Sequence, residues 1–220
     1  MNEDRREALE VLQPAFVVLD ELGRRSRAAP PKAVPRRRRR TPPWIPELRT
    51  DDEPYLEISL SSVVRSKVGG EISEYGWALE RDGETGGWIF GAVSLRRAEL
   101  VHASGPGRGA RRRHKGMALD LSEIERVERM LSADGSSNRH IGDWHVHPSG
   151  TRPSEQDMMA WLSFRDLYRC SRYIGVIATP HKVWRWDEPI FTAWAVRREL
   201  GPGRLPVCEP VRICSSSYPS

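Results

Sequence analysis

Apolar residues between about 52 and 200 fall into short runs divided by Gly and Asp turns, the texture of alternating strands and helices. Leu56 to Leu60 reads as a strand, and Ile72, Tyr75 and Leu79 share one face of a helix after it. Gly86 to Val93 and Ala98 to Ala103 predict two strands joined by a turn at Leu95 to Arg97, and the Gly- and Arg-rich stretch 104–113 predicts a loop. Asp120 can cap a helix bearing Leu121, Ile124, Val127, Met130 and Leu131, which stops near Asp134-Gly135. A strand follows from Ile141 to His147. Ser154 can then cap a helix with Met158, Trp161, Leu162 and Leu167 inward, and 173–179 and 190–196 predict two final strands. This order of elements implies one α/β domain over 52–200, without internal repeats.

The two ends read differently. Leu9, Leu12, Phe16 and Leu19 recur at spacings of three and four, so 1–22 predicts a short amphipathic helix bent at Pro14. Residues 23–50 are rich in Arg and hold six prolines, with few large apolar groups before Trp44. Such a composition buries too little surface to offset the entropy of ordering, and predicts a disordered basic Pro/Arg-rich linker. Three prolines between Gly201 and Cys214 and three serines after it predict a loose tail over 201–220.

The net charge of the 220-residue chain is +5, yet residues 21–50 alone carry ten basic side chains against two acidic ones, so the remaining 190 residues sum to −3. Basicity therefore says nothing about what the folded body binds. The run Arg36 to Arg40 can meet phosphate backbones or an acidic protein surface, or stay solvated, and nucleic acid enters the picture only through this linker. A second cluster, Arg108, Arg111, Arg112, Arg113 and Lys115, can guide an acidic or extended substrate or remain a solvated loop. The longest apolar run is the five residues Ala15 to Leu19, against about 20 for a membrane span, so no membrane segment is expected. The amino terminus lacks the pattern of a secretory leader, which makes a cytoplasmic location the expectation. Cys170, Cys208 and Cys214 cannot all pair within one chain and match neither a redox pair nor a zinc knuckle, so they are read as reduced thiols.

Chemistry concentrates in Asp143-Trp-His-Val-His-Pro-Ser-Gly-Thr-Arg-Pro-Ser-Glu-Gln-Asp157. Residues i and i+2 of a strand share a face, so His145 and His147 can bring two imidazoles to one point, and Asp157 would lie in the first turn of the helix starting at Ser154. Two neutral imidazoles and a carboxylate form a zinc ligand set with a fourth position left for water, whose pKa zinc lowers to about 7. Ser154 with Asp157 three residues on is also the pattern that helix capping alone selects. A general base is sought before the strand opened by Gly86 and Gly87: Glu84 is the candidate there, with Glu80 and Glu74 as competitors and a solvent-facing turn as the other reading of Glu84.

Taken in order, Glu84-Thr-Gly-Gly87, Ala103-Ser-Gly-Pro-Gly107 and Trp144-His-Val-His-Pro148 with the downstream Ser154-x-x-Asp157 resemble the JAB/MPN (JAMM) metalloprotease family in its prokaryotic branch, over roughly residues 55–198. The resemblance implies a JAB/MPN-like α/β sandwich around a curved mixed sheet. It further implies Zn2+ held by His145, His147 and Asp157, Glu84 as the acid/base that activates water, and Ser154 as a donor to the oxyanion. The implied activity is hydrolysis of a peptide or isopeptide bond, at the C-terminus of a ubiquitin-like protein or its conjugate. Ubiquitin-activating-like and conjugating-like enzymes are the implied associates. Two departures stand out: six residues separate His147 from Ser154, one fewer than in many members, and Val146 replaces the usual Ser or Thr. The alternative is a catalytically silent JAB-type binding or scaffold module, tethered to nucleic acid by the basic linker.

Overall fold

The computed structural model of the chain describes residues 45–50, 56–82, 84–113, 116–148, 150–179, 189–198 and 206–214. The expected helix of 1–22 and the linker up to 44 lie outside these residues. In chain order the elements are β1 (Glu47–Leu48), β2 (Glu57–Leu60), α1 (Ser62–Asp82), β3 (Gly86–Val93), β4 (Arg97–Ala103), β5 (Arg111–Arg113), β6 (Gly116–Ala118), α2 (Ser122–Ala133), β7 (Arg139–Val146), α3 (Glu155–Leu167), β8 (Arg172–Thr179), β9 (Ile190–Arg198) and β10 (Pro206–Cys214).

Hydrogen bonding runs β10-β2-β4-β3-β7-β8-β9, and β9 pairs back onto β10 in antiparallel register from Pro206 opposite Arg198 to Val211 opposite Ala193. The sheet therefore closes into a seven-stranded barrel, with three helices among the described residues. This corrects the expectation of an α/β sandwich around a curved mixed sheet: strands dominate, and the sheet is a closed ring. The cause lies in the last strand. Residues 201–220, expected to be a loose tail, contain β10, which bonds β9 along one edge and β1 and β2 along the other. Closure removes the open edges that a sandwich sheet would leave. The end of the expected linker is likewise part of the barrel, because Glu47 and Leu48 pair in parallel with Val207 and Cys208 and Ile45 is buried. Within the expected loop 104–113, Arg111–Arg113 pairs with Gly116–Ala118 as a separate two-stranded sheet.

Alternation along the strands gives the closed sheet two unlike faces. One carries Leu56, Ile58, Leu60, Ile89, Leu100, Ile141, Trp144, Val146, Ile174 and Val176, packed with Val64, Val68 and Ile72 of α1. The spacing of four between those helical residues explains why α1 lies along this face. The other face of β3, β7 and β8 carries Trp88, His140, Asp143, His145 and Tyr173, with Trp161 and Phe164 of α3 over them. Strict alternation would separate His140 from Asp143. The register between β3 and β7 shifts between Ile89 and Phe90, so Gly142 faces Ile89, His140 faces Phe90, and Ile141 is the additional residue. This bulge keeps Ile141 with Trp144 on the α1 face and His140 with Asp143 on the α3 face.

Candidate metal centre

β7, α3 and β8 form a parallel crossover unit, with Gly142 to Val146 registered against Ile174 to Ala178. In such units the space beyond the carboxyl end of the first strand lies next to the amino end of the helix that follows, where ligands commonly bind. His145 is the penultimate residue of β7, and His147 follows it, with its N–H donated to the Ala178 carbonyl at 3.0 Å. The loop from Pro148 returns the chain to Ser154, the N-cap of α3, where the hydroxyl accepts from the Asp157 N–H and the Asp157 carboxylate accepts from the Ser154 N–H. This reciprocal cap fixes Asp157 in the first turn, aimed at the end of β7.

Three ligand-type residues converge there. His145 Nε2 lies 3.1 Å from His147 Nε2 and 3.4 Å from Asp157 Oδ1, and His147 Nε2 lies 3.3 Å from Asp157 Oδ2. For a tetrahedral ion with bonds of about 2.0–2.1 Å, neighbouring ligand atoms stand about 3.3–3.4 Å apart. The separations are close to that edge, although the two histidines meet different oxygens of Asp157, and the His145-His147-Asp157 group could hold a metal ion. The side chains are 11, 12 and 15% exposed, so the cluster is screened but reachable.

Electrostatics favour a cation at this point. Burial opposes charge on His145, but hydrogen bonds to Asp143 and Asp157, and the charges of both, overcome it and push its pKa up to about 10. Burial alone would raise the Asp157 pKa; hydrogen bonds from His145, His147 and Ser154, with the His145 charge, instead hold it far below the usual carboxylate range. Asp157 faces this pocket directly and Asp143 lies behind His145, a lining that suits a cation.

No family model and no curated protein matches the chain. What the site can do must therefore be read from its residues.

Glu84 sits immediately before β3, and the strand register decides where it stands: Gly86 is directly opposite His145, and the Val146 N–H donates to the Thr85 carbonyl at 2.9 Å. A Cβ on Gly86 would fall 2.3 Å from the Trp144 carbonyl oxygen and 3.0 Å from His145 Cβ, so only glycine lets β3 lie this close to the histidine strand. Half-buried Glu84 is thereby held within electrostatic reach of all three ligand-type residues. Burial raises its pKa, with His145 and His147 opposing and Asp157 reinforcing the rise. That direction suits a proton acceptor working nearer neutral pH. Glu74 lies on α1 in a groove with Ser62, Ser66 and Lys67. The β5–β6 hairpin borders the site through Met117, whose Cε lies 2.8 Å from the position a Gly86 Cβ would take.

Ser154 is brought beside Asp157, and its hydroxyl donates to Asp157 Oδ2 at 2.7 Å. Its proton is therefore engaged by a ligand-type carboxylate rather than facing open space. Sequence pattern alone does not single out Asp143, although its i, i+2 relation to His145 is the available signal. Asp143 Oδ1 lies 3.4 Å from His145 Nδ1, on the side of the ring away from Nε2.

Proposed function

We propose that the chain is a zinc-dependent metallopeptidase or isopeptidase that cleaves at the C-terminal tail of a ubiquitin-like protein or its conjugate. The single observation that carries the zinc reading is the convergence of His145 Nε2, His147 Nε2 and the Asp157 carboxylate, each 3.1–3.4 Å from the other two. Two imidazoles and one carboxylate leave a fourth position, as hydrolytic zinc sites do. Zn2+ held by His145, His147 and Asp157 would supply Lewis acidity toward a carbonyl oxygen and would make water a better proton donor to Glu84.

The chain's own groups divide the remaining work. The Glu84 carboxylate takes a proton from the attacking water and returns it to the nitrogen of the leaving amine, a transfer helped by its raised pKa. For Ser154 to donate to the oxyanion its hydroxyl must leave Asp157 Oδ2, and the Ser154 N–H, at 2.7 Å, then still satisfies that oxygen. The resemblance of the Glu84, Ala103–Gly107 and His145–Asp157 motifs to JAB/MPN metalloproteases supports the amide-cleaving chemistry and the ubiquitin-like substrate class. Three free cysteines, one of them buried, support action in a reducing compartment such as the cytoplasm. No helix among the described residues is long and apolar enough to cross a membrane.

The test is cleavage of a panel of ubiquitin-like proteins joined through their C-terminal tails to a reporter amine. Activity that is lost on chelation and restored by stoichiometric zinc is expected; activity indifferent to chelation would contradict the reading.

A further inference from the structure

Beneath the metal centre, the α3 face of β7 holds a polar network that the ligand set alone does not require. Asp143 is buried, yet both its oxygens have partners. Oδ1 accepts from Trp161 Nε1 at 3.1 Å and faces His145 Nδ1 at 3.4 Å, and Oδ2 accepts from the Tyr173 hydroxyl at 3.0 Å. Behind it the Tyr173 oxygen lies 3.4 Å from His140 Nε2. Burial pushes the His140 pKa down to about 3, so this last member is a neutral imidazole. The chain of contacts runs from the core, through Tyr173 and Asp143, to the ring nitrogen of His145 opposite the one facing His147 and Asp157.

Each partner is placed by the fold. Asp143 and His145 share a face of β7, and the bulge at Ile141 brings His140 to the same face. Cross-strand from Asp143 stands Gly175, where a Cβ would come within 2.0 Å of the Trp161 ring; glycine leaves room for the indole to reach across. A buried carboxylate of this kind is costly unless its lone pairs are satisfied. Trp161 and Tyr173 donate to its oxygens, and Oδ1 is left facing His145 Nδ1 as an acceptor.

We propose that Asp143 is the positioning residue of this site: it accepts the Nδ1–H of His145, which fixes the imidazole in the tautomer whose Nε2 lone pair faces the metal, while Trp161 and Tyr173 hold Asp143 in place. The inference rests on the metal reading above. Asparagine at 143 is nearly isosteric, but it can offer an amide N–H to Nδ1 and so favour the tautomer that puts a proton on Nε2, where the metal must bind.

The test measures the zinc dissociation constant of the full chain by chelator competition for the wild type, D143N, Y173F and the double variant, together with the 15N shifts of the His145 ring. The expected result is about one zinc in the wild type with His145 protonated at Nδ1, and an affinity about 10–100-fold weaker in D143N with that tautomer no longer dominant. Y173F should weaken binding by a smaller factor and add little in the D143N background, because it acts through Asp143. A wild type that binds no zinc would overturn the metal reading itself. Tight zinc in the wild type with D143N within about threefold of it would overturn only the positioning role. Should D143N fail to fold, Y173F decides: weakened zinc binding supports the proposal, and unchanged binding overturns it.

Discussion

The two faces of β7 and β8 are made from one alternating sequence but of different materials. Toward α1 stand Ile141, Trp144, Val146, Ile174 and Val176, a mainly apolar surface in which shape and buried area matter most. Toward α3 stand His140, Asp143, His145 and Tyr173, where polar groups need partners; burial lowers the His140 pKa, whereas Asp143 and Asp157 raise that of His145 against burial. Both faces are buried, so burial does not distinguish scaffold from site. The distinction is whether hydrogen-bond partners and charges converge on one point, and on the α3 face they converge at His145 Nε2. The α1 face should therefore fail by losing stability, and the α3 face by losing metal or turnover.

The largest separation of these effects should come from E84Q. Removing the proton acceptor while sparing the ligands should lower turnover by about 10²–10⁴-fold with zinc content and unfolding temperature unchanged. Full activity would assign the base elsewhere. On the α1 face, I174A should cost about 2–5 kcal/mol in denaturant unfolding, because Ile174 is fully enclosed, and should leave the zinc content of the folded fraction at the wild-type value.

A pH experiment sharpens the contrast. The His145 pKa is raised from 6.5 to about 10, so in chelator-treated protein its stabilising contribution is fully present below pH 6.5 and is lost as pH rises toward 10. Zinc requires the unprotonated ring, so the extra stability conferred by zinc should grow over the same range. Parallel melting curves with chelator and with zinc would show the two trends diverging; parallel trends would contradict the assignment of His145 as a ligand. The smallest effect on stability is expected from S154A, which removes the side-chain half of the α3 cap and should cost about 0.5–2 kcal/mol in unfolding free energy, while turnover should also fall because the oxyanion loses a donor.

The sequence made the site more legible than the fold. His145 and His147 follow from strand alternation, and Asp157 from the spacing of a helix cap, because both are local rules. Asp143 obeys the same alternation, but its significance depends on Trp161 and Tyr173, which reach it from a helix and a neighbouring strand 18 and 30 residues away in sequence. The bulge at Ile141 is flanked by Gly142, but a single glycine inside a strand does not say which neighbour is the extra residue. Closure of the barrel was hidden for a different reason. β10 contains Pro206 and Pro210, residues that usually argue against a strand bonded on both sides, and it gains stability only from the distant β9, β1 and β2. β1, in turn, is two residues at the end of an Arg- and Pro-rich stretch whose composition conceals it. Local chemistry is written locally, whereas closure is a long-range property.

The most direct test of the central claim is zinc per chain by elemental analysis of the purified wild type, H147A and D157A. The account predicts about one zinc in the wild type and little or none in either folded variant. A wild type that stays free of zinc after zinc is offered, or variants that retain it in full, would contradict the assignment of His145, His147 and Asp157 as a metal centre.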